Sequence, residues 1–86
     1  MHTVELVGEA IRVAQRLGYR IRQEWMGGLG GGTCEIRGRK ALFLDLAWGP
    51  NEQLEHLVET LQRETTAANI AMPRELRDLI GRGKSA

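Results

Sequence analysis

The chain has a single cysteine, Cys34, so no internal disulfide framework can hold it and its stability must come from packing. A lone thiol suits a reducing compartment, and the sequence reads as cytoplasmic. No basic start leads into an apolar core segment, and no apolar run reaches the roughly 20 residues that span a bilayer, so neither a secretory signal nor a membrane helix is expected. Closed zinc signatures are absent: there is no Cys-x-x-Cys pair and no His-Glu-x-x-His. A phosphate loop ending in Gly-Lys-Ser/Thr is also missing. Aromatic residues are 5% of the chain, and the net charge of +1 names no partner by itself.

What is present fits one soluble globular domain. Hydrophobic residues make up 42% and charged residues 27% of the 86 positions. A chain of this size buries only about 60–65% of its unfolded surface, which leaves little core to spare. Its charges are segregated. Residues 12–40 hold seven Arg or Lys against Glu24 and Glu35, and residues 41–80 hold seven acids against Arg63, Arg74 and Arg77. Such a +5/−4 division can steer an anion or a second copy, although two solvated faces of different sign would look the same.

The organising stretch runs from Gly27 to Trp48, GGLGGGTCEIRGRKALFLDLAW. Gly38–Arg39 between two β-prone runs predicts a hairpin with a type II′ turn, because glycine at the first central position supplies the positive φ. That turn sets Arg37 opposite Lys40, Ile36 opposite Ala41 and Cys34 opposite Phe43. The second strand is apolar on both faces: Ala41, Phe43 and Ala47 share one with Asp45, while Leu42, Leu44, Leu46 and Trp48 line the other. Helices of the domain would cover one face, and a second copy could cover the other.

In chain order, Thr3 is placed to cap a helix reaching Leu17, with apolar stripes Leu6, Ala10, Val13, Leu17 and Val4, Val7, Ile11, Ala14, ended by Gly18. Tyr19–Trp25 alternates as a strand, with Arg20, Arg22 and Glu24 on one side. Three consecutive strands predict an antiparallel meander, the glycine loop joining the first two. Gly49-Pro50 opens a helix whose stripe is Leu54, Leu57, Val58 and Leu61. Residues 65–69 read as a linker, with Ile70 and Met72 tucked beneath it. A last helix after Pro73 turns Leu76, Leu79 and Ile80 inward and ends at Gly81. The expectation is an α+β domain over residues 1–81 of order αβββαα, with a three-stranded antiparallel sheet, helices on one face and a frayed tail over 82–86.

Few residues carry chemistry. Five glycines between Gly27 and Gly32 describe a loop with several positive-φ positions. Alternatively, its N–H groups form an anion nest at Gly28, Gly30 and Gly31, helped by Arg20, Arg22 and Arg37. Asp45 is placed to accept bonds from loop N–H groups near Gly31–Gly32. Glu52, His56 and Glu59 share one helix face, which is more simply a solvated acidic face than a metal site. Cys34 has no adjacent histidine and by default packs against Phe43. Trp25 and Trp48 are core residues or anchors for a partner.

The strings Gly18-Tyr19-Arg20-Ile21-Arg22, GGLGGGTCEIRGRK and LFLDLA resemble a family of small uncharacterised conserved bacterial proteins; the likeness covers about two thirds of the chain and implies no particular activity. The order helix, strand, hairpin, helix is also similar to the front part of zincin-like metallopeptidase domains of the antitoxin-associated kind. That family's His-Glu-x-x-His is missing from the corresponding Glu52-Gln53-Leu54-Glu55-His56-Leu57-Val58-Glu59, so this resemblance implies an inactive relative.

Together these features favour a non-enzymatic binding or interaction domain with no catalytic residues, no cofactor and no metal. Its expected partner is a second copy or another protein at an interface formed by Leu42, Leu44, Leu46 and Trp48. The alternatives are anion, nucleotide or nucleic-acid binding through the Gly27–Gly32 loop and its arginines, and a degenerate metal or thiol site.

Overall fold

The structure, a computed structural model, describes residues 1–82. It has the α+β order αβββαα: α1 (Thr3–Arg16), β1 (Arg20–Glu24), β2 (Gly32–Ile36), β3 (Arg39–Asp45), α2 (Pro50–Gln62), a 3₁₀ turn (Thr65–Asn69) and α3 (Arg74–Arg82). His2, rather than Thr3, caps α1, and its backbone N–H donates to Glu5 Oε1 at 3.2 Å. The other end closes as a Schellman motif. Gly18 N–H donates to Gln15 O and Tyr19 N–H to Ala14 O, both at 3.0 Å, with Gly18 at φ +98°. Gly49 caps α2 and Pro50 is its first residue, where a missing N–H costs nothing. α3 runs through Gly81 to Arg82 rather than stopping at Gly81, and the rest of the expected frayed tail, residues 83–86, lies outside the described residues.

The sheet departs from the expected meander. Its strand order is β1-β3-β2, with β1 parallel and β2 antiparallel to β3. β3 is the strand with apolar side chains on both faces, and the centre gives it a hydrogen-bonded neighbour on each side. Residues 25–31 therefore do not close a hairpin. They carry the chain over the C-terminal end of β3, across two strand spacings, about 10 Å.

The β2–β3 hairpin is present with its turn one residue earlier than expected. Arg37 and Gly38 are the central residues, at φ +52° and +77°, as a type I′ turn requires. Ile36 pairs with Arg39, Thr33 with Leu42 and Cys34 with Ala41, not with Phe43. The pairing moves by two residues relative to a Gly38–Arg39 turn, so every side chain keeps its face.

Which face is covered is the reverse of the expectation. Leu42 and Leu44 are fully buried beneath the helices, packed with Val13 and Ala14 of α1, Leu57 and Leu61 of α2, and Leu76 of α3. Burying each leucine contributes about 1.5–3 kcal/mol, so the side of β3 with the larger apolar side chains goes under the helices. Ala41 and Phe43 lie on the other face, with Arg20 and Arg22 as their partners on β1. Leu42 and Leu44 are thus core residues and offer no surface to a second copy, while Leu46, just past β3, is exposed.

The 65–73 segment is held by backbone acceptors. Arg77 donates to Ala68 O and Ile70 O, and Arg12 to Ala71 O. Ala67 is buried, and Ile70 and Met72 pack against the core.

Arginine is a poor residue for the left-handed conformation of position 37. Arg37→Asn, which makes an Asn-Gly turn, is expected to raise stability by about 0.5–1 kcal/mol in urea unfolding. A loss of stability instead would mean that the hairpin does not turn at Arg37–Gly38.

Candidate functional site

The glycine loop is built around an anion, and that anion belongs to the chain. Asp45 ends β3, fully buried, where the loop crosses. Its Oδ1 accepts from Met26 N–H and Ala47 N–H, both at 2.9 Å, and its Oδ2 from Gly28 N–H at 2.7 Å and Gly30 N–H at 3.3 Å. Burial alone would raise the Asp45 carboxyl, but the N–H groups of Ala47, Met26, Gly30 and Gly28 outweigh it and hold the carboxyl below its ordinary value. The structural role expected for Asp45 is therefore present, with Met26, Gly28, Gly30 and Ala47 as donors in place of Gly31–Gly32.

Trp48 secures the far side of the loop. Its indole stacks on the His56 ring, centroids 4.0 Å apart and planes within 9°. A Cβ on Gly31, whose φ is +108°, would overlap that indole, so glycine there meets both a conformational and a steric demand. His56 is thereby committed to Trp48, and no cluster of three or more metal-ligating side chains occurs among the described residues.

At the other end of the sheet, Tyr19 Oη donates to Glu64 Oε1 at 2.6 Å, and Lys40 Nζ donates to the same oxygen at 3.1 Å while sitting 4.6 Å from the Tyr19 ring centroid. Burial, with the hydrogen bond to Glu64 and its charge, pushes the Tyr19 hydroxyl up to about 12. The bond from Tyr19, helped by Lys40 and opposed by burial, holds the Glu64 carboxyl below its usual range. This cluster ties the start of β1 and β3 to the segment after α2, and it takes Lys40 and Glu64 out of any external site.

The uncovered face of the sheet is different in kind. Arg20 and Arg22 on β1, Arg37 in the turn and Arg39 on β3 surround a groove of about 430 Å³ whose apolar surface comes from Ile36, Ala41 and Phe43. Only Arg22 is paired, to Glu24 Oε2 at 2.9 Å. Arg20, Arg37 and Arg39 have no ion-pair or hydrogen-bond partner among the described residues. Four guanidinium groups and one opposing carboxylate leave the groove strongly positive in a chain of net charge +1.

Arg20, Arg22 and Arg37 are thus brought together, but not around the loop N–H groups. Gly28 and Gly30 are engaged by Asp45, and Gly31 lies against Trp48. The anion nest expected at those glycines is already filled from within the chain. Of the expected interface set, Leu42 and Leu44 are core, Leu46 is exposed and Trp48 is half-buried against His56. Cys34, expected to be buried, is exposed on the open face beside Ala41.

Sequence reasoning missed Arg39 and Phe43. The misplaced turn put Arg39 outside the strand, and the assumed meander hid that Phe43 and the β1 arginines share a face. A signal was available in Arg20 and Arg22 themselves: alternate charged positions on a strand cannot lie beneath the helices, so whichever β3 residues accompany them must be uncovered.

Among the described residues no helix is long and apolar enough to cross a membrane. The chain matches no protein-family model, no curated protein and no solved structure.

Asp45 yields a pH test. Its carboxyl is depressed in the folded state, so its contribution is complete above the ordinary value of 3.8 and is lost as the pH falls through the lower folded value. Asp45→Asn is expected to lower Tm at neutral pH by more than about 5 °C and to flatten the decline of stability below pH ~4. An unchanged acid limb in the variant would remove Asp45 as its source. Gly31→Ala should also lower Tm, with a change in tryptophan fluorescence as Trp48 is displaced from the loop.

Proposed function

We propose that the chain is a non-enzymatic binding domain whose working surface is the open face of the sheet and whose partner is anionic. The observation that carries this reading is the groove formed by Arg20, Arg22, Arg37 and Arg39, in which three of the four guanidinium groups have no counter-charge among the described residues. Planar guanidinium forks take carboxylate and phosphate oxygens in pairs, and several around one depression favour a multiply charged partner. Arg37 strengthens the reading, since a left-handed turn position would be better served by Asn or Gly if stability were the only demand. The surface is also well supported. β3 is held on both sides, and its two ends are fixed by Asp45 and by the Tyr19–Glu64–Lys40 cluster. A reducing, cytoplasmic setting is in keeping with the exposed thiol of Cys34.

The test is retention on a phosphate-bearing cation exchanger. The unaltered protein should elute at higher salt than Arg20→Ala/Arg39→Ala. It should elute with Arg16→Ala/Arg74→Ala, which removes two exposed arginines elsewhere and changes the net charge equally. If both double variants elute together, charge at this groove has no special part in binding.

A further inference from the structure

Phe43 stands between two depressions on the open face. One is the arginine groove; the other, about 200 Å³, is lined by Met26, Gly31, Gly32, Thr33, Cys34 and Phe43 and has no charged side chain in its wall. The register explains the division. On β1 the partner of Phe43 is Arg22, and on β2 it is Gly32. The ring therefore has a cation on one flank and bare backbone on the other, and a Cβ placed on Gly32 would meet nothing within 4 Å. Phe43 is half-buried, and the central strand fixes its backbone between the two depressions.

A ligand that fills both depressions needs a planar, uncharged part to lie on Phe43 over Gly32 and an anionic part to reach the arginines. Acidic peptides meet the second demand and leave the neutral depression empty. A nucleotide unit meets both, with its base stacked on the aromatic ring and its phosphate on the guanidinium groups. We infer that the open face binds a nucleotide unit, the base on Phe43 beside Gly32 and the phosphate in the groove of Arg20, Arg22, Arg37 and Arg39. This rests on the anionic-partner reading above and narrows it. Both depressions are open to solvent and adjoin across the sheet, so the unit can belong to a single strand passing over the face or to a free mononucleotide.

The test is fluorescence anisotropy with a labelled ten-nucleotide single strand of mixed sequence, competed by AMP and by polyglutamate of matching charge. The protein, Phe43→Leu and Arg20→Ala/Arg39→Ala are compared, with circular dichroism to show that each is folded. Leucine keeps an apolar side chain on β3 and removes the stacking plane. Binding of the strand is expected to weaken about tenfold in Phe43→Leu. In the arginine double variant it should weaken with a shallower dependence on salt, and polyglutamate should not compete. Competition by AMP at a concentration similar to that of strand nucleotides would identify the free nucleotide as sufficient; failure of AMP with retention of the strand would identify the single strand. If polyglutamate binds as well as the strand and Phe43→Leu changes nothing, the nucleotide inference is overturned and the anionic surface stands. If neither polyanion binds at low salt, both fall.

Discussion

Four backbone N–H groups converge on the Asp45 carboxylate, and the path of the whole chain depends on that convergence. β3 occupies the centre of the sheet, so the connection from β1 to β2 must pass over its end. The crossing segment is largely exposed, but the N–H groups of Met26, Gly28 and Gly30 that it turns inward need acceptors of their own. A buried carboxylate supplies two oxygens, and its charge is in turn stabilised by the amides. Glycine suits the segment because Gly28 takes a positive φ, and because at Gly31 the backbone lies against the Trp48 ring. What looks like an anion-binding loop is an internal brace.

With the loop braced, the sheet can be used asymmetrically. One face gives Leu42 and Leu44 to the helices, and the other carries Arg20, Arg22 and Arg39 to solvent. A one-residue slip of β3 would undo both, sending Leu42 and Leu44 out and Arg39 and Phe43 in. The Asp45 brace at one end and the Tyr19–Glu64–Lys40 cluster at the other both act against such a slip, since each binds a β3 residue to a segment outside the hairpin.

The two concentrations of basic and acidic residues have different fates. Lys40 and Glu64 neutralise each other inside a hydrogen-bonded cluster, and Arg77 and Arg12 serve backbone carbonyls near the 3₁₀ turn. Among the described residues the arginines of the open face are not consumed in this way, apart from the Arg22–Glu24 pair. Placing unneutralised cations on adjacent strands costs self-repulsion, and Arg37 adds a strained backbone position. These costs, gathered around the Phe43 ring, are the ground on which the anionic-partner proposal rests.

The sequence by itself determined the element order, the helix ends at Gly18 and Gly49-Pro50, the presence of the hairpin and which residues of each strand share a face, because these depend on contacts within a few residues. It also pointed to Asp45 as a partner of loop N–H groups, since a lone acid on an apolar strand has few other uses. Only the tertiary structure decided that β1 lies parallel to β3, which face of β3 meets the helices and which N–H groups fill around Asp45. These are choices between arrangements with the same local patterns. A meander and a mixed sheet use identical strands, and a turn at Gly38–Arg39 or Arg37–Gly38 keeps the same faces. The difference is settled by long-range packing, which places two leucines under three helices and leaves Phe43 among the arginines.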